Sequence, residues 1–264
     1  MDTQWLNGKT IVIIGGTTGL GLAAAIRCAD EGASVLVVGS EEENTAQARQ
    51  VIGRNCEAVC GDAVKEGTAD RAIETAVSVF GHVDGLYHVA GGSGRRFGDG
   101  PLHDMTDEGW NKTLQWNLDS LMFSNRSAVQ YFMKQQRQGV ILNMSSVLGY
   151  SPSPRHFATH AYAAAKSAVI GFSRSLAAYY APHDIRVNVI APGLVETPMS
   201  QRAFTDEGIM QYIQTKQPLR KGDPMKARDV ADTAVYLLSD RSSMVTGQVI
   251  AVDGGWTVSE GQYA

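Results

Sequence analysis

Residues 145–172 read SSVLGYSPSPRHFATHAYAAAKSAVIGF. They place a phenol, Tyr162, four residues before an ammonium, Lys166, with three alanines between them. From Thr159 onward the stretch is rich in good helix formers. Residues four apart on a helix lie on one face, so the two groups can approach across methyl groups alone. A nearby cation favours the phenolate and lowers a phenol pKa from its usual value of about 10. Such a tyrosine can give or take a proton near neutral pH. A lone pair of this kind arises on many helices by chance, and its meaning depends on the rest of the chain.

A second set of residues suits an anion. IIGGTTGLGLAAA follows the first apolar run, with Gly15, Gly19 and Gly21 in a GxxxGxG spacing. Glycines permit a tight strand-to-helix turn and let a pyrophosphate approach the backbone. The helix that opens there offers unpaired N–H groups and a partial positive charge. Thr17 and Thr18 can add hydroxyl donors. The position after a first strand is what lifts this loop above an ordinary tight turn.

The elements that must position these residues alternate. The short apolar runs TIVIIG, SVLVVG, GLYHVAG, GVILNMS, IRVNVIAPG and GQVIAVDGG, with CEAVCGD as a further short strand, suit strands buried on both faces. Between them lie LGLAAAIRCADEG, TADRAIETAVSVFG, TDEGWNKTLQWNLDSLMFSNRSAVQYFMKQQ, the Tyr162 helix and KARDVADTAVYLLSD, which read as amphipathic helices. Strand and helix in alternation predict an α/β fold, a doubly wound (Rossmann-type) parallel sheet with helices on both faces. No Gly/Ser- or Pro-rich linker divides the chain, so residues 1–264 read as one domain. Residues 194–225 break the rhythm, as a ligand-covering excursion at a strand end would.

Composition narrows the class. At 264 residues, with 44% hydrophobic and 19% charged residues, the chain is ordinary for a globular protein. A net charge of -4 argues against a nucleic-acid partner. No apolar run reaches bilayer length, and the N-terminus does not read as a signal peptide. Three cysteines without a CxxC pair imply a reducing, cytoplasmic setting. Cys56 and Cys60 share a strand face and read as small buried hydrophobes. Six histidines show no metal-ligand spacing, so no metal is expected.

The ordered set of GxxxGxG, AGG after the fourth strand, Ser146 upstream of YxxxK, PGLVETPM and DGG resembles the short-chain dehydrogenase/reductase family over nearly the whole chain. The resemblance implies that Tyr162 is the catalytic acid/base. It implies that Lys166 binds the nicotinamide ribose and depresses the tyrosine pKa. Ser146, with Ser145 as neighbour and fallback, would hydrogen-bond the substrate oxygen, and Asn117 would hold a relay water. Gly15, Thr17, Thr18, Gly19, Leu20 and Gly21 would hold the dinucleotide phosphates. Ser40, Asp62 and Ala63 would lie at the adenosine end, Ala90 and Gly91 at the end of the fourth strand. Ile190, Pro192, Gly193, Val195 and Thr197 would hold the carboxamide. The implied reaction is the interconversion of a secondary alcohol and a ketone. Tyr162 moves the hydroxyl proton, Ser146 stabilises the oxyanion and the nicotinamide takes or gives hydride.

Departures from the family pattern are informative. Ile14 stands where a threonine is usual, and His88-Val89 stand in place of paired asparagines, so the contacts of those asparagines are expected to be missing. The stretch between Ser146 and Tyr162 is longer than is common, with the surplus in SPSPRHFATH; substrate tuning and neutral loop drift fit it equally. Gly39-Ser40 ends the second strand without the acid of NAD users or the base of NADP users. Glu41, Glu42 and Glu43 follow, and the expectation is NAD over NADP.

Arg95 and Arg96 follow AGGSG, and Arg155, His156 and His160 lie in the longer loop. If both loops face one cleft, their cations suit an anionic hydroxy or oxo compound such as a sugar acid, or a similar polyol. The alternative for Arg95 and Arg96 is solvation or pairing with Asp99 and Asp104. A 3-oxoacyl-carrier-protein reductase is the alternative activity, weakened by Ala178 where an arginine would help docking. A non-catalytic dinucleotide-binding scaffold is the alternative of another class, weakened by the presence of Tyr162, Lys166 and Ser146. Ala161, Ala165, Ala168 and Phe172, together with the long helix before them, are expected to build a homo-oligomer, a tetramer by the resemblance.

Overall fold

The computed structural model describes residues 4–53 and 55–261. Seven parallel strands form the central sheet: β1 (Thr10–Ile14), β2 (Ser34–Gly39), β3 (Cys56–Cys60), β4 (Gly85–His88), β5 (Gly139–Met144), β6 (Ile185–Pro192) and, last in the chain, β9 (Val249–Val252). The intervening β7 (Val195–Glu196) and β8 (Met225–Lys226) pair only with each other. The order across the sheet is β3-β2-β1-β4-β5-β6-β9. The chain thus winds outward from β1 to one edge, returns, and winds outward from β4 to the other. The reversal lies between the carboxyl ends of β1 and β4, where doubly wound sheets bind ligands.

Period-two alternation assigns each face. Ile11, Ile13, Val35 and Val37 join α1 (Gly19–Asp30), α2 (Glu42–Ile52) and α9 (Ala227–Leu238) in one core. Val12, Ile14, Leu36 and Val38 point to the opposite side, against α3 (Thr68–Phe80), α5 (Ser120–Gln135) and the end of α6 (His160–Tyr180). A strand buried on both sides can carry no polar face, which is why Ile11, Val12, Ile13 and Ile14 follow one another without a polar residue.

Three expectations need correction. The long helix before β5 is two helices, α4 (Asp107–Leu114) and α5, joined by a π-turn at Gln115–Asp119. Cys60 is only half-buried because β3 is an edge strand, while Cys56 is buried as expected. Ala161 and Ala165 are buried in their own fold, so that part of the alanine stripe is not available to a partner. The excursion at 194–225 folds into α7 (Gln201–Phe204), α8 (Glu207–Lys216) and the β7–β8 ribbon.

Candidate active site

The glycine loop is shaped by close approach. Gly15 has φ 84° and a Cβ there would sit 2.6 Å from the Ala90 nitrogen. A Cβ on Gly21 would fall 1.9 Å from the Gly15 carbonyl oxygen. The backbone of the first turn of α1 is therefore packed against β1 and β4 with no side chain between. Thr18, the N-cap of α1, makes no side-chain cap bond and is exposed, leaving its hydroxyl and the helix N–H groups available to an anion. Thr17 differs from the expectation. It is buried beneath Gly39, where a Cβ would meet its Oγ1 at 2.1 Å, so it shapes the loop rather than facing a ligand.

Across the cleft, Gly19 faces Thr197, which a Cβ on the glycine would meet at 3.6 Å. The loop that carries Pro192, Gly193, Val195 and Thr197 is held by Gln217, a buried residue that the sequence reading missed. Its Oε1 accepts from the Leu194 N–H at 2.5 Å and its Nε2 donates to the Leu194 carbonyl at 3.1 Å. Leu20 follows Gly19 on α1, and Ile190 lies within β6. At the far end, Ser40 and Asp62 are exposed beside the ends of β2 and β3, with Ala63 half-buried next to them. The Cys60 thiol donates to the Ser40 carbonyl at 3.6 Å. Burial pushes the Cys60 thiol up, and the Glu42 and Glu41 carboxylates push it the same way. Two of the three glutamates therefore stand near this strand end. The cradle that a Cβ would fill, the open helix terminus and the facing loop fit a dinucleotide.

The candidate reacting groups lie just after β5 and at the start of α6. Ser146 follows β5 and its Oγ accepts from the Leu148 N–H at 3.2 Å. Its neighbour Ser145 points elsewhere, donating to the Lys166 carbonyl at 2.7 Å, which removes it as a substitute. Burial pushes the Tyr162 phenol up to about 12, and the adjacent Ser146 hydroxyl acts in the opposite sense. The expected depression by Lys166 is not what this geometry gives. Lys166 Nζ donates to the Met144 carbonyl at 3.0 Å and lies 5.5 Å from the Tyr162 ring centre. Burial lowers Lys166 itself to about 8. Desolvation of the phenol outweighs the cation.

Asn117 is fully buried in the π-turn, a distortion found often at functional sites. Its Nδ2 donates to the carbonyls of Gly92 and Thr113, each at 2.8 Å, and its Oδ1 accepts from the Gly92 N–H at 3.2 Å. It braces the turn that follows Ala90 and Gly91. His88, where the family usually has an asparagine, makes contacts of its own. Its Nδ1 is 2.7 Å from Ser124 Oγ, and its Nε2 is 3.1 Å from the Ala90 carbonyl and 3.3 Å from Ser120 Oγ. A carbonyl can only accept, so Nε2 carries the proton and Nδ1 accepts from Ser124. Burial, followed by the charge of Lys166, lowers His88 to about 3, which keeps it neutral.

The basic residues divide. Arg96 stacks on the rings of Phe97 and Trp116, 4.8 Å from each centre, and is not free for a ligand. Arg95 is exposed and its pKa is lowered, first by partial desolvation and then by the charge of Arg202. Arg202, on α7, was not singled out by the sequence; it donates to the His156 carbonyl at 3.4 Å. The His156 ring lies 4.9 Å from that of Tyr212 on α8, so the longer loop packs against the excursion. Arg155 and His160 are exposed on this loop and at the start of α6. Asp104 pairs with His103, and the Asp99 carboxylate is taken by backbone N–H groups of α6, so neither forms the anticipated pair with an arginine.

The comparisons with known proteins agree with this geometry. The family model described as enoyl-(acyl carrier protein) reductase matches residues 15–257. The 3beta-hydroxysteroid dehydrogenase 1 of Eggerthella lenta is 36% identical over 97% of this chain and 96% of its own. The 2-dehydro-3-deoxy-D-gluconate 5-dehydrogenase of Dickeya dadantii is 33% identical over 97% and 98%. The crystal structure of gox2181 superposes with a TM-score of 0.90 at 28% identity over 97% of this chain and 98% of that one. A short-chain type dehydrogenase/reductase from Mycobacterium ulcerans superposes with a TM-score of 0.88 at 29% identity, over 96% and 91%. With its glycine cradle, its Ser146, Tyr162 and Lys166 and relatives that span its whole length, the chain belongs to the short-chain dehydrogenase/reductase family, NAD(P)-dependent oxidoreductases acting on CH–OH groups.

Proposed function

We propose that the substrate is a polar, anionic secondary alcohol or ketone, of the sugar-acid or polyol type. The observation that carries this is the convergence of Arg95 and Arg202. They come from the loop after β4 and from α7, close enough for the charge of Arg202 to lower the Arg95 pKa, and an anion seated between them would relieve that repulsion. A guanidinium pair of this kind suits a carboxylate. The likeness to a relative named as a dehydrogenase of 2-dehydro-3-deoxy-D-gluconate supports the reading.

The nicotinamide supplies a hydride acceptor or donor. The chain supplies the rest. Ser146 Oγ donates to the oxygen whose charge grows as its proton leaves, and Tyr162 Oη takes that proton, or returns it in reduction. Lys166, turned toward the Met144 carbonyl, is placed to hold the ribose hydroxyls. Asn117 keeps the adjoining turn in place, beside the position where a relay water would lie. Glu41 and Glu42 near Ser40 disfavour a 2′-phosphate, which favours NAD over NADP.

The chain acts as one domain, as a homotetramer in the cytoplasm. Leu118, Phe123, Ile170 and Phe172 on the α5–α6 side stay partly exposed, which supports self-association. Among the described residues no helix is long and apolar enough to cross a membrane. Light scattering that gave a monomer mass at micromolar concentration would refute the oligomer.

A second reading is a hydroxysteroid substrate. Its support is the relative named as a 3beta-hydroxysteroid dehydrogenase, with exposed Met199 and Leu102 as apolar contacts. One panel separates the two readings: sugar acids, the matching neutral sugars and polyols, and hydroxysteroids with and without a carboxylate, each with NAD and NADP. Turnover confined to uncharged steroids would overturn the anionic reading, and a large NADP preference would overturn the cofactor choice.

A further inference from the structure

The first turn of a helix leaves backbone N–H groups without intrahelical partners, and the N-cap side chain usually serves one of them. In α6, the helix that carries Tyr162, it does not. Thr159 occupies the N-cap position but its hydroxyl donates to the Phe157 carbonyl. The orphan donors are served from the loop after β4 instead. Asp99 Oδ1 accepts from the Ala161 N–H at 3.0 Å, and Asp99 Oδ2 from the Tyr162 N–H at 3.1 Å. The Gly100 carbonyl accepts from the His160 N–H at 3.5 Å. Asp99 is 4% exposed and spans more than 60 positions of sequence to reach these donors.

The loop that presents Asp99 is itself built. Thr106 Oγ1 donates to the Phe97 carbonyl at 2.6 Å, and the Thr106 N–H donates to the Gly98 carbonyl at 3.1 Å. Gly98, at φ 97°, packs on the Thr106 side chain, and a Cβ on Gly109 would sit 2.4 Å from the Gly98 carbonyl carbon. The same loop carries Arg95.

We propose that Asp99 is a positioning residue: its carboxylate clamps the first turn of α6 to the loop after β4, so that the proton-carrying Tyr162 and the anion-facing Arg95 move as one body. A substrate seated on Arg95 is thereby registered on the phenol. The carboxylate also sets a fixed negative charge at the backbone of Tyr162. The charged group that feels it is Arg95 on its own loop, on which Arg202 of α7 acts in the opposite sense. The proposal rests on the reading of Tyr162 as the proton carrier.

The test uses the full-length protein with Asp99→Ala and Asp99→Asn, the latter keeping an acceptor without the charge. Backbone amide exchange is followed at Ala161 and Tyr162, with the amides of β1 and β5 as internal reference. Turnover is followed with whichever panel compound the wild type uses. The clamp predicts exchange at the two amides at least 10-fold faster in Asp99→Ala, with the reference amides unchanged. It predicts kcat down on the order of 10- to 100-fold at unchanged KM for the dinucleotide. It predicts that Asp99→Asn shifts the Tyr162-governed limb of the kcat profile to lower pH, because a negative charge has left. Unchanged exchange at both amides overturns the proposal. So does faster exchange with a wild-type kcat and a wild-type limb in Asp99→Asn, which would leave only a structural brace. Should Asp99→Ala not fold, Asp99→Asn decides alone by the same limb. If Tyr162→Phe turns over normally, the reading of the site is what fails, and the exchange result still decides the clamp.

Discussion

The ammonium of Lys166 is turned from the phenol of Tyr162 toward the Met144 carbonyl, 3.0 Å away. Four-residue spacing puts the two side chains on one face, but the free carbonyl at the end of β5 captures the charge. The phenol, left to its burial, rises to about 12 while the ammonium falls to about 8.

Tyr162→Phe keeps the ring and its packing and removes the one oxygen proposed to carry the proton. Turnover should fall on the order of 100- to 10,000-fold while the dinucleotide still binds. Near-normal rates over several substrates and pH values would sink the assignment.

Lys166 holds its proton below about pH 8 and loses it above. Its grip on ribose hydroxyls should weaken as pH rises through that value, and Lys166→Met should weaken binding as well as rate. A dinucleotide Kd that is flat from pH 7 to about 9.5, measured by titration of the wild type, would contradict this.

His88 stays neutral in the fold down to about pH 3, whereas an unfolded histidine protonates near 6.5. Between those values the unfolded chain binds the additional proton, so stability is full above about 6.5 and declines as pH falls. Urea midpoints at pH 7 and pH 5 should show the wild type losing roughly 2 kcal/mol more than His88→Asn, at about 1.4 kcal/mol per unit. Equal losses in the two proteins would rule the histidine out as the source.

Gly21→Ala drives a methyl into the Gly15 carbonyl, while Gly171→Ala, in α6, meets nothing within 4 Å. The first should destabilise by roughly 1–3 kcal/mol and abolish dinucleotide binding. The second should stabilise by roughly 0.5–1 kcal/mol. Thermal unfolding of both variants checks the contrast, and a tolerated Gly21→Ala would mean that the cradle does not depend on close approach at Gly21.

Arg95→Ala and Arg202→Ala should each lower kcat/KM for a carboxylate substrate by about 10- to 150-fold, the equivalent of roughly 1.5–3 kcal/mol, and spare a neutral analogue. If charged and neutral compounds suffer alike, no anion lies between the two arginines.

The sheet was legible because its inner strands are buried on both faces, as the near-continuous apolar runs TIVII and SVLVVG show. Gly15 was marked by its GxxxGxG spacing and Tyr162 by its distance from Lys166, while Ser146 was marked by the family resemblance. What escaped was set by distance along the chain. Asp99, Gln217 and Arg202 act on residues far away in sequence, and no local pattern marks an aspartate that caps a remote helix. The replaced asparagines pointed to lost contacts, yet His88 finds Ser120 and Ser124 on a neighbouring helix. The Tyr162 pKa was misjudged because a pair taken alone shows neither the desolvation nor the competing carbonyl.

The π-turn at Gln115–Asp119 works as a phase shifter. Each residue of a helix advances its faces by about 100°, so the turn sets α5 out of step with α4. Within the turn, Trp116 presents its ring to Phe97 and Arg96; downstream, Ser120 and Ser124 meet His88. Removing one residue between 115 and 119 would let the ladder close as regular helix and take from Asn117 its joint reach to Gly92 and Thr113. The half-helix beyond the turn is thus indexed to the catalytic sheet by a single residue count.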